Sequence, residues 1–231
     1  MRIVLKKAIS TFKIDLDKIF KSRVIDVILY GSVIRGGFNL ISSDIDFIVL
    51  LEGKLSQKDV TKIEGLHLSY RQSDSLVRLL EGRYAGLQNN RFVNGYYIGT
   101  NPKGWKPIDK FGFDNLESAM ILDAYESLNH NQTIKSMLHF SWDKIKIEIL
   151  NQIDGFIKNN LLTENESYKN YALVTASRSL YTFLNRKFIS KSNAAKWIAD
   201  NYFEIDHNNP IFCLSKIKEL IFDPALDCDE I

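Results

Sequence analysis

The chain has 231 residues, of which 45% are hydrophobic and 25% are charged, and its formal net charge at pH 7 is +2. This length accommodates one large or two modest domains, and the small net charge argues against a dedicated nucleic-acid-binding protein. Its two cysteines, Cys213 and Cys228, have no partners at metal-ligand spacing, so we predict free thiols rather than disulfides or a zinc site. There is no signal-peptide pattern and no apolar run near the roughly 18 residues of a membrane span, so we expect a cytoplasmic protein.

Hydrophobic spacing predicts an N-terminal region that mixes helices and strands. Apolar residues at helical intervals predict a helix over residues 4–21, and two apolar segments predict strands over residues 23–30 and 45–51. A helix capped by Ser56 follows the second strand. Residues 75–87 predict a third strand, although two internal glycines weaken it.

After the third predicted strand the pattern changes twice, first to a loop and then to a run of helices. Residues 91–99 predict a further strand or hairpin arm, and residues 100–113 are rich in proline and glycine and predict a loop. We therefore expect two domains, at residues 1–132 and 133–231. The second is predicted to be all-helical, with helices over residues 141–158, 170–185, 192–202 and 211–222.

The residues most indicative of chemistry lie on the first two predicted strands. Asp44 and Asp46 alternate on one strand, so their carboxylates point to one face and Ile45 points to the other. Two adjacent carboxylates repel each other unless a cation lies between them. Mg²⁺ is commonly held by one or two carboxylates together with substrate phosphates. Gly31 and Ser32, after the first strand, allow close backbone approach to a phosphate and add a hydroxyl and an N–H group.

The combination of these motifs resembles a known superfamily. An apolar strand, Gly-Ser, about a dozen residues, Ser-Asp-Ile-Asp and another apolar run are typical of the polymerase-β-like nucleotidyltransferases. The later segment ALVTASRSLYTFLNRKFISKSNAAKWIADNYF resembles the helical domain of streptomycin/spectinomycin aminoglycoside adenylyltransferases. The resemblance implies an α/β (α+β) N-terminal nucleotidyltransferase domain with a mixed sheet, an all-α C-terminal helical bundle, and an active site in the cleft between them.

The resemblance also implies roles for residues of the N-terminal domain. Asp44 and Asp46 correspond to the ligands of catalytic Mg²⁺, with two ions expected. Gly31, Ser32 and Ser43 correspond to residues that contact the phosphates of the nucleotide.

Three further residues complete the predicted site. Arg178 and Lys191 correspond to C-terminal residues that contact the triphosphate, a role that suits the bidentate guanidinium and the ammonium point charge. The family carries a general base on the strand after the aspartates, and Glu81 is our prediction for it. His67 is the competing base because histidine titrates near neutrality. It comes too early in the chain, and we interpret it as a helix-end or surface residue.

These residues predict an Mg²⁺-dependent enzyme that moves AMP from ATP to a hydroxyl of a small molecule, with aminoglycoside antibiotics among the candidate acceptors. One alternative keeps the chemistry but uses a protein or tRNA as the acceptor. Another is a relative that binds nucleotides without catalysis. We expect a monomer whose partners are NTP and the acceptor, without dedicated nucleic-acid or membrane binding.

Overall fold

The computed structural model describes residues 2–40 and 43–223. The chain forms two compact units, each built from two segments. The first unit comprises Met1–Phe113 and Ala124–Leu138, and the second comprises Asp114–Asp123 and His139–Ile231. The predicted division after residue 132 falls within the last segment of the first unit.

A mixed sheet forms the centre of the first unit. Its strands are β1 (Val24–Tyr30), β2 (Ile45–Glu52), β3 (Leu80–Gln88), β4 (Arg91–Ile98), β5 (Lys106–Ile108) and β6 (Tyr125–Ser127). They form one six-stranded sheet in the order β5-β4-β3-β2-β1-β6. The pair β2 and β3 is parallel and the other pairs are antiparallel, which confirms the predicted mixed sheet.

Ten α-helices accompany the sheet in the described part of the chain. They are α1 (Arg2–Phe20), α2 (Ser32–Arg35), α3 (Gln57–Arg71), α4 (Asn115–Asp123), α5 (Thr133–Met137), α6 (Trp142–Ile157), α7 (Leu161–Glu164), α8 (Glu166–Asn185), α9 (Lys191–Asn201) and α10 (Pro210–Phe222). Helices α1, α2, α3 and α5 belong to the first unit, and the others to the second. None of the helices in the described part of the chain is long and apolar enough to cross a membrane.

The core of the first unit lies between one face of the sheet and the helices α1 and α3. Phe12 from α1 packs edge-on against Phe47 from β2, with ring centroids 4.9 Å apart, and Ile63 from α3 joins the same cluster. Ser56 begins α3 as predicted, in a capping box with Asp59. Two side chains at the start of the helix thus satisfy backbone N–H groups that would otherwise lack partners.

Two local predictions need correction. Residues 75–87 were predicted as one strand, but Leu76–Leu79 form a 3-10 helix and the strand begins only at Leu80. The predicted loop over residues 100–113 contains the short strand β5. Short elements of three or four residues carry too little periodicity to be recognised in a sequence.

The second unit has its own core. Buried residues of α6, α8 and α10, among them Ile149, Leu180 and Leu214, form one cluster. Cys213 is buried there as a free thiol, as predicted. Cys228 lies outside the described residues.

Candidate active site

The turn after β1 places Gly31 directly against Asp46. Gly31 has φ 72° and ψ −144°, a conformation that L-residues with a side chain rarely adopt. A Cβ atom at Gly31 would fall 3.0 Å from Cγ of Asp46 and closer still to one of its carboxylate oxygens. The predicted Gly-Ser turn and the aspartate pair therefore meet in space, and a glycine is required where they meet.

The two predicted serines lie near the two ends of the connection between β1 and β2. Ser32 is the first residue of α2 and is half-buried. Ser43 donates its N–H to Asn39 O at 2.9 Å, and its Oγ accepts from Asn39 N at 3.0 Å. These two bonds hold Ser43, the residue directly before Asp44, against Asn39.

The strand register brings the proposed base beside the aspartates. Asp46 is the register partner of Glu81 in the parallel pair β2/β3. Paired residues share a face of the sheet, and neighbouring strands lie about 4.8 Å apart. Asp44, which directly precedes β2, interacts electrostatically with Arg71 and Tyr97, and so does Glu81. Three predicted site carboxylates therefore belong to one region of the sheet.

The described part of the chain contains no group of three or more histidine, cysteine, aspartate or glutamate residues arranged to hold a metal ion.

Both oxygens of the Glu81 carboxylate accept hydrogen bonds. The Tyr97 hydroxyl donates a hydrogen bond to Oε1, and the backbone N–H of Thr100 donates to Oε2 at 3.2 Å. Burial raises the pKa of Tyr97, and the bond to Glu81 raises it further. Tyr97 is therefore a protonated donor at neutral pH.

Arg71 fixes the backbone on both sides of this arrangement. Its Nη2 donates to Leu80 O at 2.7 Å and to Gly99 O at 2.8 Å. Burial lowers the pKa of Arg71, whereas Glu81 and Asp44 act in the opposite direction. The sequence reasoning missed Tyr97 because only the register of β3 and β4 brings it near Glu81. It missed Arg71, the last residue of α3, because only long-range hydrogen bonds to Leu80 and Gly99 bring it there.

His67 is not a surface residue, so this part of the prediction is wrong. It is fully buried in α3, its ring stacks on Phe47 with centroids 5.6 Å apart, and Nε2 forms a 2.9 Å hydrogen bond with the hydroxyl of Tyr84. Burial is the main cause that lowers the pKa of His67 to about 3. Phe47 alternates with Asp46 on β2, so His67 lies on the opposite face of the sheet from Asp46 and Glu81.

Arg178 lies on α8 in the second unit and lines a pocket there. Three hydroxyl residues, Thr175, Ser179 and Thr182, share its face of the helix because they are spaced three or four residues apart. The Oγ1 of Thr175 is buried and has no hydrogen-bond partner among the described residues. The other residues that line the pocket are Leu116, Met120, Gln152 and Phe188. The pocket thus combines one half-buried cation with several hydroxyl groups.

Lys191 is the first residue of α9 in the second unit. Its Nζ lies 4.4 Å from the centroid of the Tyr171 ring, in a cation–π contact. Ser190 caps the same helix by accepting from Asn193 N. The ammonium group of Lys191 is therefore held near the start of α9 by a neighbouring aromatic ring.

Comparison with known proteins gives a family match and a similar solved structure. Residues 9–85 match the family model of the nucleotidyltransferase domain, and this segment contains the Gly-Ser turn, both aspartates and Glu81. A spectinomycin adenyltransferase from Enterococcus faecialis, solved with ATP and spectinomycin, has a similar fold with a TM-score of 0.66. It is 15% identical in sequence, and the match covers 94% of this chain and 99% of that one. No curated protein matches the sequence significantly. The predicted resemblance to polymerase-β-like nucleotidyltransferases and to the fold of the aminoglycoside adenylyltransferases is confirmed.

Proposed function

We propose that this chain, whose residues 9–85 match the family model of the nucleotidyltransferase domain, transfers AMP from ATP to a hydroxyl of a small molecule in an Mg²⁺-dependent reaction. The observation that carries the proposal is the arrangement of Gly31, Asp46 and Glu81. A glycine leaves room beside one carboxylate, and a second carboxylate lies next to it on the neighbouring strand. A cytoplasmic location and a monomeric state belong to the same proposal.

The donor groups at this position suit Mg²⁺. Asp44 and Asp46 offer hard carboxylate oxygens, and Mg²⁺ is usually bound through one or two carboxylates plus substrate phosphates rather than by a cage of protein ligands alone. Asp44 and Asp46 would hold the metal. When bound, it neutralises charge on the phosphates and aligns them for in-line attack.

Glu81 acts as the general base in this proposal. Each of its oxygens already accepts one hydrogen bond, and a carboxylate oxygen can accept a second. Glu81 can therefore take the proton of an acceptor hydroxyl while Tyr97 and Thr100 keep it in place. The hydroxyl oxygen attacks the α-phosphorus of ATP, and pyrophosphate leaves.

The remaining residues bind the nucleotide. The backbone of Gly31 and Ser32, together with Ser43, contacts its phosphates, because a glycine turn permits close approach and adjacent N–H groups attract anions. Arg178 and Lys191 are assigned to the triphosphate as well, because a guanidinium and an ammonium group both bind phosphates.

The acceptor is proposed from the structural neighbour, which was solved with spectinomycin. Spectinomycin and streptomycin are therefore the first acceptors to test. A protein or a tRNA is the alternative acceptor, and it becomes the favoured one if no compound of the panel stimulates pyrophosphate release.

The test incubates the purified protein with Mg²⁺, each of the four NTPs and a panel of aminoglycosides, and follows pyrophosphate release. We expect acceptor-dependent release that is highest with ATP. The negative control is the variant Asp46→Asn, which removes one negative charge, keeps nearly the same side-chain shape and should abolish turnover. Equal pyrophosphate release by the wild type and by Asp46→Asn would contradict the assignment of the site.

A further inference from the structure

We propose that Tyr97 is a positioning residue that holds the Glu81 carboxylate in the orientation needed to accept a proton. The inference rests on the proposed function, because it concerns the group assigned there as the base. It extends that function to a residue that the catalytic motifs do not contain.

The geometry singles out Tyr97 among the side chains near Glu81. Tyr97 is the register partner of Arg83 in the antiparallel pair β3/β4. Arg83 and Glu81 share a face of β3 because they are two residues apart. The Tyr97 ring therefore lies diagonally across from Glu81, within the range that aromatic side chains span between strands. Its hydroxyl donates to Oε1 of Glu81.

Glutamate has a long side chain, and ordering it costs conformational entropy. The two hydrogen bonds from Tyr97 and Thr100 select one orientation of the Glu81 carboxylate. Without the phenol, only the backbone N–H of Thr100 would remain, and a single bond permits rotation about its own axis. A general base must lie within hydrogen-bond distance of the proton it takes, so a small loss of orientation lowers the rate.

The backbone around the pair is fixed by other residues. Arg71 donates to the carbonyl oxygens of Leu80 and Gly99, which directly precede Glu81 and Thr100. The Nε1 of Trp105 also donates to Gly99 O at 2.8 Å. Removing the Tyr97 hydroxyl should therefore free the Glu81 side chain while the strands stay in place.

The chain offers a matched control one residue earlier. The Tyr96 hydroxyl likewise donates a hydrogen bond to a glutamate, Glu64 of α3. Adjacent strand residues point to opposite faces, so the Tyr96 pair lies on the other side of the sheet from Glu81. Tyr96→Phe removes the same group from the same strand and breaks the same kind of bond, but it leaves Glu81 untouched.

The first measurement decides whether the hydrogen bond exists in solution and needs no turnover. The protein is labelled with tyrosine carrying ¹³C at Cζ, and the Tyr97 signal is identified by its loss in Tyr97→Phe. Glu81→Gln should shift the Tyr97 signal and leave that of Tyr96 unchanged. An unshifted Tyr97 signal would overturn the inference whether or not the protein is active.

The second measurement compares kcat and KM for transfer to the best acceptor of the panel. Tyr97→Phe should lower kcat about tenfold, within the usual effect of losing a supporting contact, with the KM for ATP nearly unchanged. Tyr96→Phe should leave both constants near those of the wild type. In the Glu81→Gln background, adding Tyr97→Phe should cause no further loss, because Tyr97 acts through Glu81.

The outcomes separate the two proposals. If the wild type transfers nucleotide but Tyr97→Phe loses no more activity than Tyr96→Phe, or if its loss adds fully to that of Glu81→Gln, this inference fails and the proposed function stands. If the wild type transfers no nucleotide to any acceptor, the proposed function fails, and the catalytic part of the inference fails with it.

Discussion

At the scale of single residues, the carboxylates of Asp46 and Glu81 have different surroundings. Asp46 is accommodated only because Gly31 lacks a Cβ atom, whereas Glu81 is surrounded by hydrogen-bond donors. In the proposed function, the carboxylate beside the glycine turn binds the cation that a neighbouring phosphate needs, because two anions repel each other unless a cation lies between them. A carboxylate held by two donors is fixed in orientation and suited to proton transfer.

Glu81→Gln tests this distinction. The amide keeps the size of the side chain but cannot take a proton, so transfer should fall by roughly two to four orders of magnitude. Binding of ATP with Mg²⁺ should remain close to that of the wild type, because the substitution does not touch Asp44 or Asp46. The measurement pairs calorimetric titration of ATP with single-turnover transfer. A Glu81→Gln variant with wild-type transfer rates would show that another group is the base.

His67 makes a different prediction, about stability rather than catalysis. Its pKa is lowered to about 3, first by burial and then by Arg71, whereas in the unfolded chain it is about 6.5. Between these values the unfolded state binds the proton and the folded state does not. The contribution of His67 to stability is therefore complete above pH 6.5 and falls with decreasing pH, by about 1.4 kcal/mol per pH unit.

The measurement is urea unfolding of the wild type and of His67→Gln at pH 7.5 and pH 5.5. The wild type should lose about 1.4 kcal/mol more than the variant over this interval, since His67 titrates only below pH 6.5. All other titrating groups are common to both proteins and cancel in the comparison. Equal pH dependence of the two proteins would mean that His67 is not buried as a neutral ring.

The turn between β1 and α2 is the element on which the site most directly depends. Gly31→Ala would force a Cβ atom onto the Asp46 carboxylate and would strain a backbone with positive φ. We expect a stability loss of about 1–3 kcal/mol and a large loss of transfer. The matched control is Gly36→Ala, because Gly36 also has positive φ but a Cβ atom added there would meet none of the described residues within 4 Å.

Gly36→Ala should cost about 1–2 kcal/mol of stability from strain alone and should retain most of the transfer activity. Thermal unfolding and initial rates measured at the same temperature separate the two effects. If the two variants lose activity equally, the contact between Gly31 and Asp46 has no role beyond strain.

Elements also show why part of the site was predictable and part was not. The glycine turn and the aspartate strand follow from a local pattern, because alternation fixes the face of a strand. The choice between Tyr96 and Tyr97 does not follow from such a pattern. Counting residues outward from the tight turn at residues 89–90 would place Tyr96 on the face of the proposed base. A register shift between Ala85 and Leu87 exchanges the two tyrosines, and an irregularity of one residue reverses every side chain beyond it.

At the scale of the whole molecule, the two units differ in which similarity to known proteins covers them. The nucleotidyltransferase family match covers residues 9–85, all within the first unit, whereas the similar solved structure covers 94% of the chain. Fold similarity at 15% identity identifies the architecture but no side-chain role. Whether the second unit contributes to nucleotide binding must therefore be tested by substituting residues of that unit.

Arg178→Ala provides that test. Arg178 lines a pocket rich in hydroxyl groups on α8, and a charge-assisted contact with a phosphate contributes about 2 kcal/mol. The Kd for ATP with Mg²⁺ should therefore rise about 30-fold. The matched control is Lys196→Ala, which removes an exposed cation that pairs with Asp200 at 2.6 Å and should leave the Kd unchanged. Calorimetric titration without acceptor measures both variants. If both bind ATP as the wild type does, the triphosphate is held by the first unit, and the pocket around Arg178 serves another ligand or none.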